Sequence, residues 1–87
     1  MRIDKYLKTT RLVKRRSVGK ELCDCHKIGV NGKFVKGSYE VKIGDRIEIT
    51  FGTRRTVVMV TEIKEAVRKE DVGQLYDLIG VEKVEEA

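Results

Sequence analysis

Buried-type side chains near the start of the chain recur at helical spacing. They occupy every third or fourth position of the first 13 residues, at Ile3, Tyr6, Leu7, Thr10 and Val13. This spacing predicts a first helix, or a helix and its exit turn, with one buried face. The opposite face carries Lys5, Lys8 and Arg11.

A second helical pattern covers residues 17–25. Its buried side is expected to carry Val18, Leu22 and Cys25, while Lys20 points outward. A run of basic residues precedes it: Lys14, Arg15 and Arg16. The two predicted helices therefore present positive charge together.

Beyond the second helix the period changes from helix to strand. Residues 28–30 and 33–35 flank Asn31-Gly32, a dipeptide that tolerates the two positive φ angles of a type I′ hairpin turn. Residues 46–51 alternate apolar and polar side chains, as in a strand with one exposed face. Residues 56–63 are rich in β-branched side chains and are expected to pair with that strand.

The last quarter of the chain returns to helical spacing, which predicts a short helix. This helix follows the last strand, and the strand and the helix together are expected within residues 56–80. A frayed acidic tail is expected at residues 82–87. The helical stripe consists of Val72, Leu75, Tyr76 and Ile79. The sequence thus predicts one α+β domain over residues 1–87. Two N-terminal helices pack on a small, mostly antiparallel sheet, with a short C-terminal helix.

Charge is distributed unevenly along the chain. Residues 1–36 hold 11 basic and 3 acidic side chains, which give a net charge of +8. Residues 37–87 hold 8 basic and 11 acidic side chains, which give a net charge of −3. A one-sided basic field attracts a polyanion, either nucleic acid or an anionic membrane surface, although a solvated lysine-rich surface is the simpler interpretation. The chain lacks an apolar run of about 18 residues and an apolar N-terminal leader, so we expect a cytoplasmic protein without membrane contact.

Metal and catalytic sites are not expected. Cys23, Cys25 and His26 are the only soft ligands, one fewer than zinc requires, and the two cysteines would diverge by about 200° on a helix. We expect Cys25 in the core and Cys23 partly buried. The sequence offers no nucleophile with a base, no phosphate loop and no paired carboxylates, so no cofactor and no enzyme activity are predicted.

The basic helical pair is the candidate RNA-binding surface. Its eight cations are Arg2, Lys5, Lys8, Arg11, Lys14, Arg15, Arg16 and Lys20. Arginine holds phosphate bidentately or stacks on an unpaired base, so the arginines are the candidates for specific contacts. Because few aromatic residues are available for stacking single strands, folded RNA is the favoured ligand.

Several motifs in order resemble the S-four RNA-binding domain, named after a small-subunit ribosomal protein. They are residues 1–7 (MRIDKYL), Arg16 at a helix start, residues 27–32 (KIGVNG), residues 36–38 (KGS) and residues 41–47 (VKIGDRI). The motif core spans about residues 1–51. The resemblance implies the family's αL-type RNA-binding fold.

Within that family the chain is similar to proteins of bacterial ribosome-associated quality control. That similarity implies a ribosome-associated monomer that binds obstructed large subunits through rRNA and peptidyl-tRNA. It also implies a partner, RqcH, with which it supports alanine tailing of stalled chains. The alternatives are a heat-shock-type factor that recycles stalled large subunits, a general structured-RNA-binding module, an appendage of a modifying enzyme and a protein-interaction module. The short chain disfavours the appendage.

The resemblance also assigns roles to residues. Arg2 and Arg16 match the family's RNA-contacting arginines, and Asp4 matches its motif aspartate. From the residues alone, Asp4 either orients a nearby arginine or caps the first helix. His26 stands where the family usually has glycine after the second helix, so either a strained left-handed residue or a different helix end is expected there. Arg15 replaces the family's usual Ser or Thr, which removes a helix cap but adds a positive charge.

Overall fold

The computed structural model describes residues 1–84, so the last three residues of the predicted acidic tail lie outside the described chain. Two helices come first and a sheet follows. The elements are α1 (Ile3–Thr9), α2 (Arg16–Asp24), β1 (Ile28–Val30), β2 (Lys33–Phe34), β3 (Arg46–Phe51), β4 (Arg54–Val60), a 3₁₀ helix (Lys69–Gln74) and β5 (Tyr76–Lys83). None of the helices within residues 1–84 is long and apolar enough to cross a membrane.

The sheet has five strands in the order β2-β1-β3-β4-β5, and every neighbouring pair is antiparallel. The predicted α+β class, with two N-terminal helices on an antiparallel sheet, is confirmed. Asn31 and Gly32 have φ angles of 52° and 87°, which confirms the predicted turn between β1 and β2. Strand β3 has the predicted bounds, with Ile47 and Ile49 buried.

The core forms where α1 lies against the sheet. Ile3, Tyr6 and Leu7 are fully buried, as the helical spacing predicts, and they pack with sheet residues such as Ile28 and Ile47. Apolar burial of this kind is the main stabilising contribution in a domain of this size. The core therefore fixes one face of α1 and leaves its basic face outside.

The buried side of α2 differs from the prediction. Cys23 is 2% exposed, whereas Cys25 is exposed and occupies the C-cap. Gly19 explains the difference, because this residue without a side chain lies against α1, and Cys23 lies one turn further along the same face. Val18 and Leu22 are therefore only partly buried at the edge of the core.

The predicted C-terminal helix is wrong in extent. The helical segment is a 3₁₀ helix that ends at Gln74, and the next eight residues form β5. Antiparallel pairing of Tyr76 with Val60 and of Gly80 with Val57 satisfies the backbone of β5, which overrides the helical spacing. Glu82, predicted in a frayed tail, is therefore part of a strand and lies opposite Arg55.

Candidate RNA-binding surface

The buried carboxylate of Asp4 joins two arginines from different elements. Its Oδ2 accepts a hydrogen bond from Nη2 of Arg2 at 3.0 Å, and its Oδ1 accepts one from Nε of Arg16 at 3.1 Å. The N-cap of α1 is Arg2, not Asp4, and no side chain caps that helix. Of the two roles considered for Asp4, the structure therefore supports orientation of arginines.

Both arginines of this group remain accessible. The side chains of Arg2 and Arg16 are 46% and 49% exposed, while that of Asp4 is 3% exposed. A guanidinium has about five N–H donors, so each arginine keeps about four beyond its bond to Asp4. Two positive charges against one negative charge leave the group cationic.

The loop between β2 and β3 packs against Asp4 and holds its backbone in place. The backbone N–H of Asp4 donates to the carbonyl oxygen of Gly37 at 3.2 Å. A Cβ atom on Gly37 would lie 3.1 Å from Oδ2 of Asp4 and 3.4 Å from Cγ of Lys20. The loop thus approaches closely because residue 37 is glycine, and the aliphatic stem of Lys20, from α2, lies against the same residue. We call Arg2, Asp4, Arg16 and Lys20 the arginine cluster.

Three further predicted cations lie around the exit turn of α1. Lys8, Arg11 and Lys14 line a groove of about 410 Å³, whose other wall is formed by residues 65–67. We call this feature the α1 groove. Within residues 1–84, these three side chains, Arg15 and Lys20 have no acidic ion-pair partner.

The remaining two predicted residues belong to neither feature. Lys5 forms an ion pair with Glu65, and that hydrogen bond and charge lower the pKa of Glu65. Arg15 is exposed at the N-cap of α2 and makes no side-chain cap bond, in agreement with the loss of the usual cap. His26 adopts the left-handed conformation expected of the family's glycine, with φ of 57°, and its ring stacks on Phe34.

Sequence reasoning missed the second wall of the α1 groove. Glu65, Ala66 and Val67 carry no motif, and no spacing in this segment indicates that it approaches α1. Their position results from the path of the chain after β4. No local signal was available to predict it.

Comparison with known proteins places the chain in a family. A family model of the S4 domain matches residues 1–47. The "RQC P-site tRNA stabilizing factor" of Streptococcus pneumoniae strain R6 is 45% identical over 86 residues, which cover 99% of this chain and 98% of that protein. The factor of the same name in Bacillus subtilis strain 168 is 41% identical over 86 residues, which cover 99% of this chain and 100% of that protein.

Solved structures agree with this assignment. The trimeric structure of Vibrio cholerae Heat Shock Protein 15 superposes with a TM-score of 0.84 at 29% identity, covering 90% of this chain and 80% of that chain. The solution structure of the hypothetical protein HP1423 superposes with a TM-score of 0.79 at 30% identity, and the match covers 92% of this chain and 98% of that chain. The resemblance inferred from the sequence motifs is confirmed, and the chain belongs to the S4 domain family and, within it, to the family of RQC P-site tRNA stabilizing factors.

Proposed function

We propose that this protein is a non-enzymatic RNA-binding factor of ribosome-associated quality control, and that it stabilises tRNA in the P site of stalled large ribosomal subunits. The observation that carries the proposal is the arginine cluster, in which a buried carboxylate presents two half-exposed guanidinium groups side by side. The names of the full-length relatives support the choice of RNA.

The geometry suits recognition of a phosphate backbone. Because Arg2 and Arg16 bind the two oxygens of one carboxylate, both side chains are restrained before RNA arrives. Restrained side chains lose less conformational entropy on binding, and each guanidinium keeps N–H donors for phosphate oxygens. Asp4 is therefore proposed as a positioning residue, with Arg2, Arg16 and Lys20 as the contacts of this cluster.

The proposal extends to the partners and to the remaining basic residues. We propose rRNA of the large subunit and tRNA as ligands, with Lys5, Lys8, Arg11, Lys14 and Arg15 contributing to affinity. We also propose a monomeric, cytoplasmic protein that works with RqcH on stalled subunits to support alanine tailing. An alternative is a factor that recycles stalled subunits, and it is favoured by the structural similarity to Heat Shock Protein 15.

Co-sedimentation with purified large subunits that carry peptidyl-tRNA tests the proposal. Arg16→Ala is expected to weaken binding about tenfold, because a phosphate or base contact by arginine contributes about 1–3 kcal/mol. Arg54→Ala removes an exposed arginine from β4, a strand that contributes no residue to the cluster, and serves as the matched control. Equal binding of Arg16→Ala and Arg54→Ala would contradict the proposed surface.

A reconstituted tailing reaction separates the two functions. If the protein stabilises P-site tRNA for RqcH, Arg16→Ala reduces alanine addition by about the same factor as it reduces binding. If the protein recycles subunits, its addition releases peptidyl-tRNA and does not increase tailing. The second result would replace the proposed function with the alternative.

A further inference from the structure

The α1 groove combines positive charge with an apolar patch. Lys8, Arg11 and Lys14 supply the positive charge, and Val13, Ala66 and Val67 supply the apolar surface. Glu65, which also lines the groove, carries a negative charge that is paired with Lys5. The groove measures about 410 Å³, near the lower end of the range of about 300–1,000 Å³ for small-ligand sites. A space of this size can hold one small group.

Arg11 adopts an unusual backbone conformation at this groove. Its φ is 61°, in the left-handed region, at the position after the C-cap where helices usually place glycine. The side chain is exposed and has no ion-pair partner among residues 1–84, and the backbone N–H of Arg11 closes the turn by donating to the carbonyl oxygen of Lys8 at 3.0 Å. Because it lines the groove and is exposed, the Arg11 side chain is available to a ligand there.

Contacts within the protein connect α1 to the chain after β4, which forms the second wall of the groove. The hydroxyl of Tyr6 donates to the carbonyl oxygen of Leu75 at 2.6 Å, and the same oxygen accepts the backbone N–H groups of Thr61 and Glu62 at 3.0 and 3.2 Å. The ion pair between Lys5 and Glu65 joins α1 to the second wall directly. These contacts restrain the second wall relative to α1, which lowers the entropic cost of binding.

We propose that the α1 groove holds one unstacked nucleotide of the bound RNA. The three cations would contact its phosphate, and its base would lie on Val13, Ala66 and Val67. Folded RNA commonly exposes single unstacked bases that proteins bind through flat apolar or aromatic surfaces. This inference rests on the proposed function and adds a second contact, at the other end of α1 from the arginine cluster.

Two glycine substitutions test the groove with matched backbones. Arg11→Gly relieves the left-handed strain, so the melting temperature should rise. It also removes the cation, so affinity for large subunits carrying peptidyl-tRNA should fall about tenfold, and the slope of log affinity against log salt concentration should decrease by about one. His26→Gly changes the equivalent left-handed residue after α2, outside the proposed surface, and affinity should stay within twofold of the unmodified protein.

The outcomes separate this inference from the proposed function. If Arg16→Ala loses affinity and Arg11→Gly does not, the nucleotide groove is wrong and the arginine cluster stands. If neither variant loses affinity, both proposals fail. If Arg11→Gly and His26→Gly lose affinity equally, the loss comes from the altered helix ends and the groove proposal is overturned.

Methyl NMR of the whole protein identifies the occupant. Adenosine 5′-monophosphate is expected to shift the methyl resonances of Val13, Ala66 and Val67, whereas inorganic phosphate leaves those of Ala66 and Val67 in place, because only the nucleotide carries an aromatic ring. Identical shifts with both probes would overturn the base contact. Binding of hexaglutamate in preference to the nucleotide would assign the groove to an acidic protein segment instead.

Discussion

The carboxylate of Asp4 is buried, yet both side chains that neutralise it are half-exposed. This arrangement separates two effects that usually occur together at basic surfaces, total charge and the placement of charge. Removing the carboxylate makes the surface more positive but releases both guanidinium groups from their positions.

Asp4→Asn is therefore expected to weaken RNA binding about tenfold, although it raises the net charge by one. An amide loses the charge-assisted bonds to Arg2 and Arg16, and the protein should lose about 1–3 kcal/mol of stability. Filter binding and thermal unfolding measure the two effects. Glu21→Gln makes the same charge change at an exposed position of α2 and should leave affinity flat or slightly higher. Tighter binding by Asp4→Asn would show that charge alone matters.

The two cysteines should differ in reactivity. Cys23 is buried, and burial, together with the charges of Asp4 and Asp24, raises the pKa of its thiol to about 11. At pH 8 a thiol reagent should label Cys25 quickly and Cys23 only as fast as the protein unfolds. Cys25→Ser should abolish the fast phase, and a fast phase that persists in this variant would contradict the assignment.

The same shift predicts how stability depends on pH. The folded protein keeps the Cys23 proton where the unfolded chain has lost it, so stability falls as pH rises from 9.0 towards about 11. Denaturant titrations across this range measure the decline. Cys23→Ala should make the decline shallower, while burial of Tyr6, which also raises its pKa, leaves a residual slope.

At the scale of elements, two glycines control how closely α1 meets its neighbours. A Cβ on Gly19 would lie 3.4–3.5 Å from atoms of Asp4, Leu7 and Val13, an ordinary contact distance. A Cβ on Gly37 would lie 3.1 Å from Oδ2 of Asp4, which is too close without displacement of the carboxylate. The two positions therefore respond differently to the same substitution.

Gly19→Ala should stabilise the protein by about 0.5–1 kcal/mol, because alanine is the better residue inside a helix, and should leave RNA affinity unchanged. Gly37→Ala should reduce both stability and affinity, since it disturbs the arginine cluster. Thermal unfolding and subunit binding of the two variants give the comparison. Equal behaviour of both variants would mean that the loop does not support Asp4.

Elements defined by local patterns were predictable from the sequence. The buried face of α1, the Asn31-Gly32 turn and the bounds of β3 follow from spacing and turn chemistry. Strand β5 was not predictable in this way, because the apolar residues from 72 to 79 fit a helix, whereas the backbone from Tyr76 onward pairs with β4. Long-range pairing decided between two structures that the local pattern allowed.

The candidate site was predictable to a similar degree. All the cations could be identified from charge and motif, but the sequence did not show that they divide into the arginine cluster and the α1 groove. That division depends on which segments meet α1 in three dimensions. The role of each residue in RNA binding stays a prediction until variants are measured.

At the scale of the whole molecule, six cations lie in the two features: Arg2, Arg16 and Lys20 in the cluster, and Lys8, Arg11 and Lys14 in the groove. If each meets one phosphate, affinity for large subunits should fall about a thousandfold between 50 and 200 mM salt, by the relation established for duplex DNA. Sedimentation across a salt series measures the slope. A slope near three, about half of that expected for six contacts, would restrict the contact to one feature.

The bond from Tyr6 to Leu75 joins the beginning of the chain to a residue near its end. During synthesis, α1 leaves the ribosome before residue 75, so the buried hydroxyl of Tyr6 finds its acceptor only after some 69 further residues have been added. A nascent chain that ends before residue 75 would leave this hydroxyl without the acceptor that it has in the folded protein.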